Sequence, residues 1–156
     1  VNFMSTIKKI FSSVATAGII FVIGSFSSKA TNVTLDSDAP SSGSVTLDEN
    51  DNIVSTSSPT IYNSIQNSTN RHFIAPATAY HYAHSDWVFY TDHHNYLTGK
   101  KTGHSNYLHR TAGHGSYAKV GNGKGGGWSY AKAGIWSYAQ HRGKGTFVAK
   151  YSSPFN

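Results

Sequence analysis

The chain has 156 residues, a net charge of +6 at neutral pH and no cysteine, so disulfides and Cys-bound metals cannot support its fold. The charge is unevenly distributed along the chain. Residues 31–70 carry five acidic side chains and no Lys or Arg, whereas residues 71–156 carry ten Lys or Arg, two Asp and all nine His. A basic region with only two carboxylates is a poor basis for paired-carboxylate catalysis, and we expect a binding protein rather than an enzyme.

The N-terminal segment has the three regions of a secretory signal. Two lysines precede an apolar run at residues 14–23, and the small residues Ser28 and Ala30 fit a signal-peptidase site. The run is shorter than the roughly 20 residues that cross a bilayer. We therefore expect residues 1–30 to be a signal peptide cleaved after Ala30, with an uncleaved membrane anchor as the alternative. The mature protein is then extracellular, and export without cysteine favours a bacterial source.

The segment at residues 31–71 is rich in Ser, Thr and Asn and poor in large apolar side chains. Low hydrophobicity combined with one sign of charge is typical of a disordered acidic linker. The alternative interpretation is an acidic pro-segment that screens the basic domain. The segment also contains a weak internal repeat, Val-Thr-Leu-Asp, at residues 33–36 and 45–48.

Aromatic residues dominate the remainder of the chain. Sixteen Phe, Tyr and Trp fall within residues 71–156, and many alternate with small or polar residues, as in Trp128-Ser129-Tyr130. Alternation of period two predicts strands with one buried face, and Gly-rich breaks separate them at roughly 8–12-residue spacing. We predict an all-β fold, a small antiparallel β-sandwich over residues 72–156, with no helix after residue 30. Its core should consist of aromatic rings with small residues packed beneath them.

The last third of the chain carries short motifs in a fixed order. They begin with Ser105-Asn106-Tyr107, continue through His109, His114 and Ala133-Gly134-Ile135-Trp136, and end in a strand with Lys150, Tyr151 and Phe155. Over residues 105–156 the chain resembles the lactococcin 972 family of bacteriocins. The resemblance implies a secreted antiparallel β-sandwich that kills related bacteria. It also implies the mechanism, which is binding of the cell-wall precursor lipid II and a block of septum formation without pores.

Basic and aromatic residues of this domain are the candidate contacts for an anionic target. Lys and Arg form charge-assisted bonds with phosphate, and exposed Trp and Tyr rings stack on sugars or lie at a membrane interface. The candidates are Lys119, Lys124, Trp128, Tyr130, Lys132 and Arg142. We expect lipid II or another anionic envelope component as the partner, with contact to the outer membrane face as an option. Nucleic acid is not expected, because the protein is exported.

The two tryptophans near these candidates are assigned different environments. Trp128 follows three glycines and is predicted to be exposed, whereas Trp136 is predicted to lie in the core. The Gly-rich stretch at residues 121–127 is interpreted as a solvated hairpin loop. A loop that closes over a pyrophosphate through its backbone N–H groups is the alternative.

Two further functions are compatible with the residues. A non-toxic cell-surface or wall-binding module would use the same basic and aromatic side chains. A zinc-dependent wall hydrolase would use His81, His84 and Asp86, but no His-Glu-x-x-His pattern is present. Residues 81 and 84 would also point to opposite faces of a strand. We therefore predict no catalytic residue, no metal and no cofactor.

Overall fold

The computed structural model describes residues 31–35, 40–71 and 84–154, and these residues form a two-layered antiparallel β-sandwich. The all-β sandwich predicted from the alternation is thereby confirmed. The predicted signal peptide with its cleavage site at Ala30 and the motif residue Phe155 lie outside the described residues.

The strands in the described residues form two sheets, which we call the four-stranded sheet and the five-stranded sheet. The four-stranded sheet has the order β1 (Thr31–Leu35), β4 (Ser85–Asn95), β5 (Lys100–His109), β8 (Ser137–Lys144). The five-stranded sheet has the order β3 (Ile53–Thr56), β2 (Ser42–Leu47), β9 (Phe147–Ser152), β6 (His114–Val120), β7 (Gly127–Ala131). Neighbouring strands in both sheets pair antiparallel.

Residues 31–71, which we predicted to be a disordered linker, contribute strands to both sheets. β2 lies between β3 and β9, and its pairing with β9 runs from Ser42 opposite Ser152 to Leu47 opposite Phe147. The two copies of the Val-Thr-Leu repeat lie in β1 and β2, on different sheets. This finding corrects the linker interpretation, and the sandwich includes strands that precede the boundary predicted at residue 72. Strand β2 is ordered despite its polar composition because partners on both sides satisfy its backbone.

A helix, α1 (Pro59–Arg71), follows the third strand and corrects the prediction of no helix after residue 30. Ser58 caps it, since the Ser58 Oγ accepts from the Ile61 N–H at 3.3 Å, and a proline at the first helical position suits the fixed φ of that residue. Ile61 and Ile65, four residues apart, are buried. Two inward apolar residues are too few to give a periodic signal in the sequence. The helix packs against β1 and β3.

Aromatic rings fill the space between the sheets, as predicted. Trp87, Phe89, Tyr107, Phe147 and Tyr151 are almost completely buried. The ring centroid of Tyr151 lies 4.8 Å from that of Trp87 and 4.8 Å from that of Tyr107. Tilted and edge contacts at this separation are favourable for aromatic pairs. The rings therefore bridge the two sheets through direct contact.

Two glycines provide the small residues predicted beneath the rings. A Cβ atom on Gly43 would lie 2.4 Å from Cε1 of Tyr151, and one on Gly103 would lie 2.3 Å from Cδ2 of Phe147. Both separations are far shorter than the contact distance of about 3.5–4.0 Å between carbon atoms. Any side chain at these positions would displace a core ring.

Strands β7 and β8 belong to different sheets but run beside each other at one side of the sandwich. The Tyr138 N–H of β8 donates to the Ser129 Oγ of β7 at 3.2 Å. Further along β8, a Cβ on Gly143 would lie 2.3 Å from the Val120 carbonyl oxygen of β6. The backbones of β6 and β8 therefore approach closely here, and β7 is held at a fixed corner of the molecule.

Candidate functional site

Several residues of the ordered motifs that begin at Ser105 lie in the core and not on a surface. The Ser105 Oγ accepts from Nε1 of Trp87 at 3.0 Å and donates to the Lys150 carbonyl at 3.1 Å, which connects β4, β5 and β9. Burial raises the pKa of Tyr107 and raises the pKa of Tyr151 well above its usual value. These two phenols therefore remain neutral and act as core rings. Ser105, Tyr107 and Tyr151 have structural roles.

His114 is another motif residue that lies inside the sandwich. It is fully buried, its Nδ1 donates to the Ala112 carbonyl at 2.9 Å, and its ring meets the Tyr107 ring edge-on with centroids 5.3 Å apart. Its Nε2 is buried and has no hydrogen-bond partner among the described residues. The neighbouring His109 accepts the Thr111 and Ala112 N–H groups on its Nδ1. The pKa of His109 is lowered mainly by burial and secondly by the nearby His114.

The histidines do not assemble a metal centre in the described part of the chain. No group of three or more His, Cys, Asp or Glu side chains lies close enough there to hold a metal ion. Asp86, one of the ligands considered for a zinc hydrolase, accepts from the Arg110 guanidinium at 2.8 Å. His84 is exposed, and His81 lies outside the described residues.

The remaining motif residues face outward or lie in a loop. Asn106 is half-buried on the outer side of β5, between the inward residues 105 and 107. Ala133 and Gly134 are exposed in the β7–β8 loop, where Gly134 has a φ of 77° and donates its N–H to the His109 carbonyl at 2.9 Å. Trp136 is only half-buried, so its predicted core position was wrong. It precedes β8, and the inward alternation begins one residue later.

Three aromatic side chains, Tyr117 on β6 with Trp128 and Tyr130 on β7, form what we call the aromatic surface. Tyr117 and Trp128 are directly opposite in the strand register, with ring centroids 5.6 Å apart. The Trp128 and Tyr130 rings are 6.2 Å apart and nearly parallel, with 14° between their planes. Trp128 is 39% exposed and Tyr130 is 60% exposed. The predicted exposure of Trp128 is confirmed, and the outer face of the five-stranded sheet presents adjacent ring faces to solvent.

Lysines border the aromatic surface along the same sheet. Lys150 on β9 is the register partner of Tyr117, and its Nζ lies 5.3 Å from the centroid of that ring. A cation at this distance is attracted by the ring quadrupole. Lys119 is two residues beyond Tyr117 on β6, and its aliphatic stem lies close to Gly126. Sequence reasoning did not include Lys150 among the contacts, although alternation with the buried Tyr151 places it outward.

Lys124 and Lys132 lie beyond the two ends of β7. Both are exposed, Lys124 in the loop that joins the hairpin strands β6 and β7 and Lys132 directly after β7. The base of the β6–β7 loop is fixed, because Gly125 lies against His141, whose Nδ1 accepts the Val120 N–H at 3.0 Å. The two lysines therefore flank the strand that carries Trp128 and Tyr130.

Arg142 is separated from the other candidates, because it lies on β8 of the four-stranded sheet, opposite Thr102. Its neighbours there include the exposed Lys144, which is directly opposite Lys100. Three basic side chains, Lys100, Arg142 and Lys144, therefore lie near one another on this part of the sheet. The six sequence candidates therefore divide between two sheets, with five at the aromatic surface or at the ends of β7.

Comparisons of the chain with protein-family models, with curated proteins and with solved structures find no match. No helix in the described ranges is long and apolar enough to cross a bilayer. The aromatic surface and the lysines around it are therefore the main indication of function.

Proposed function

We propose that this protein is a secreted antibacterial protein of the lactococcin 972 type that binds lipid II and blocks septum formation in related bacteria, acting by binding without turnover. The observation that carries the proposal is the aromatic surface, with Lys150 and Lys119 beside it and Lys124 and Lys132 at the ends of β7. Lipid II is amphipathic and anionic, and this surface places aromatic rings next to cationic lysine side chains.

Each part of lipid II has a matching group on this surface. The pyrophosphate accepts charge-assisted hydrogen bonds from lysine ammonium groups. The sugars present C–H faces that stack on exposed rings such as Trp128 and Tyr130. Trp and Tyr also favour the membrane–water interface, where the head group of lipid II is found.

The rigidity of the surface supports binding as its role. Trp128 and Tyr130 extend from a strand paired with β6, and the Ser129 between them accepts a backbone hydrogen bond from Tyr138. A ligand therefore meets side chains whose backbone is already fixed, which lowers the entropy that binding must overcome.

The test combines growth inhibition of related Gram-positive strains with direct binding to lipid II in vesicles. We expect inhibition that added lipid II abolishes. Trp128→Ala should weaken lipid II binding roughly tenfold or more, as expected for a central aromatic contact. Tyr138→Ala is the matched control, because Tyr138 is exposed on β8 of the other sheet. Equal loss in both variants would contradict the assignment of the aromatic surface.

A non-toxic wall-binding module is the second candidate, since the same surface would suit another anionic envelope polymer. Folded protein that inhibits no strain but binds isolated cell walls through Trp128 would favour this second function. Inhibition that lipid II does not relieve would retain the antibacterial activity and reject this target.

A further inference from the structure

A buried charged cluster joins the β2–β3 turn to the four-stranded sheet. Nζ of Lys101 lies 2.6 Å from Oδ1 of Asp51 and donates to the Asp48 carbonyl at 2.7 Å. Nδ1 of His94 lies 2.9 Å from Oδ2 of the same Asp51 carboxyl. The side chains of Lys101 and Asp51 are 0% and 1% exposed, and that of His94 is 8% exposed. An amine, a carboxyl group and an imidazole are therefore in contact at a site that excludes water.

The turn holds Asp51 in a fixed and unfavourable backbone conformation. Asp51 has a φ of 66°, in the left-handed region that non-glycine residues rarely adopt. The Asp48 carboxylate stabilises this turn by accepting from the Asn50 and Asn52 N–H groups, each at 2.9 Å. Strained residues held by their surroundings occur preferentially at functional sites. The Asp51 carboxyl is therefore pre-positioned against Lys101.

The reactive forms of the two groups are reached from their charged forms by one proton transfer across the contact. A proton that moves from the ammonium to the carboxylate leaves a neutral amine beside a neutral acid. These are the reactants of amide formation. Contact in a fixed geometry replaces a bimolecular encounter, which corresponds to effective molarities of about 10⁵–10⁸ M in well-oriented systems.

We propose that Lys101 and Asp51 condense to form an intramolecular isopeptide bond. The Lys101 Nζ lone pair attacks Cγ of the protonated Asp51 carboxyl, so an Nζ–Cγ bond forms. The Cγ–Oδ2 bond then breaks, and Oδ2 leaves as water with one proton of the carboxyl group and one proton of the amine. His94, in contact with Oδ2, donates the second proton to the leaving oxygen and takes one from Nζ in its place. The step needs no oxidant, reductant or further reactant.

The bond would serve a chain that contains no cysteine. It would tie the β2–β3 turn to β5 and close a loop between positions 50 residues apart. Small extracellular domains commonly use a disulfide for such a constraint. An amide linkage gives the same constraint and resists reducing agents. This inference is independent of the proposed binding function.

Mass spectrometry of the purified wild-type protein tests the bond directly. We expect an intact mass lower by one water molecule than the unmodified chain. Trypsin should fail to cleave after Lys101, so that residues 101–110 remain as one peptide, joined to the peptide that contains Asp51. Lys101→Arg should abolish the cross-linked peptide, because a guanidinium does not form this amide. Lys100→Arg is the matched control at the exposed neighbouring position and should retain it.

Two further variants test the chemistry. Asp51→Asn should lose ammonia instead of water when the bond forms. His94→Gln should slow bond formation roughly 100-fold or more if the imidazole transfers the proton. An unchanged rate would overturn the role of His94. Folded wild-type protein that keeps its full mass after prolonged incubation, and that trypsin cleaves after Lys101, would overturn the proposal even if the Lys101 variant fails to fold.

Discussion

Gly103→Ala tests how closely the core ring of Phe147 packs against β5. The added Cβ would lie 2.3, 2.4 and 2.9 Å from three carbon atoms of that ring. Normal carbon contacts are about 3.5–4.0 Å, so the ring would have to move by more than about 1 Å. Phe147 is fully buried and is held between its register partners Leu47 and Val120. The ring therefore has little room to retreat.

The expected cost follows from two opposing effects. Overpacking of a closed core costs about 1–3 kcal/mol, and the direct contact with ring atoms favours the upper end of that range. Replacing Gly by Ala also restricts the unfolded chain, which stabilises the fold by about 0.4–1 kcal/mol. We therefore expect Gly103→Ala to lower the free energy of unfolding by about 2 kcal/mol.

Urea unfolding followed by tryptophan fluorescence measures this change. Gly127→Ala is the control, because no heavy atom lies within 4 Å of its added Cβ, and it should be neutral or slightly stabilising. Combining Gly103→Ala with Phe147→Leu should give a double variant more stable than the sum of the single effects predicts, since the smaller side chain makes room for the methyl group. A Gly103→Ala protein as stable as the Gly127→Ala protein would refute this account of the core.

Three further predictions concern polar groups in or beside the core. Ser105→Ala should cost about 1–3 kcal/mol, because it leaves the buried Trp87 N–H without an acceptor, and an unchanged urea midpoint would contradict this. Burial raises the pKa of Tyr151. Above about pH 10 the folded state therefore retains a proton that the unfolded chain releases. The free energy of unfolding should fall as the pH rises through this range. Tyr151→Phe should reduce that slope, and identical slopes would be evidence against the assignment. The pKa of His109 is lowered mainly by burial and secondly by the nearby His114. Below about pH 6.5 the unfolded chain therefore binds a proton at this residue more readily than the folded state does. The free energy of unfolding should consequently fall as the pH drops. An NMR titration of the His109 ring with a midpoint above that of an unfolded control would disprove it.

Local patterns in the sequence predicted the part of the fold in which each strand carries its own buried face. In β9, the inward residues Phe147, Ala149 and Tyr151 alternate with the outward Val148 and Lys150, and this period is readable without a partner. Strand β2 contains only two large apolar residues, Val45 and Leu47, and its order depends on pairing with β9 about a hundred positions later. Non-local pairing of this kind leaves no local signal, and the linker interpretation failed for that reason.

The candidate site was predictable to a similar extent. The three glycines before Trp128 predicted an exposed ring, and the ring is exposed on β7. The separation of Arg142 from this ring depends on which sheet β8 joins, and only the assembled fold determines that. Lys101 occupies an inward position of β5, but its partner Asp51 stands in a turn 50 residues earlier. A lysine at an inward position is a signal of a buried charge, although it does not identify the partner.

The way in which the sheet edges are covered affects how this protein behaves at high concentration. β7 and β8, the edge strands on one side, run beside each other, and on the opposite side α1 packs against the edge strands β1 and β3. Open edge strands are templates for pairing with other chains, which leads to aggregation and fibrils. The β7–β8 corner and helix α1 therefore limit the pairing of these edge strands with other chains. Shortening α1 to remove Ile61 and Ile65 would expose β1 and β3, and amyloid-type assembly would then compete with folding.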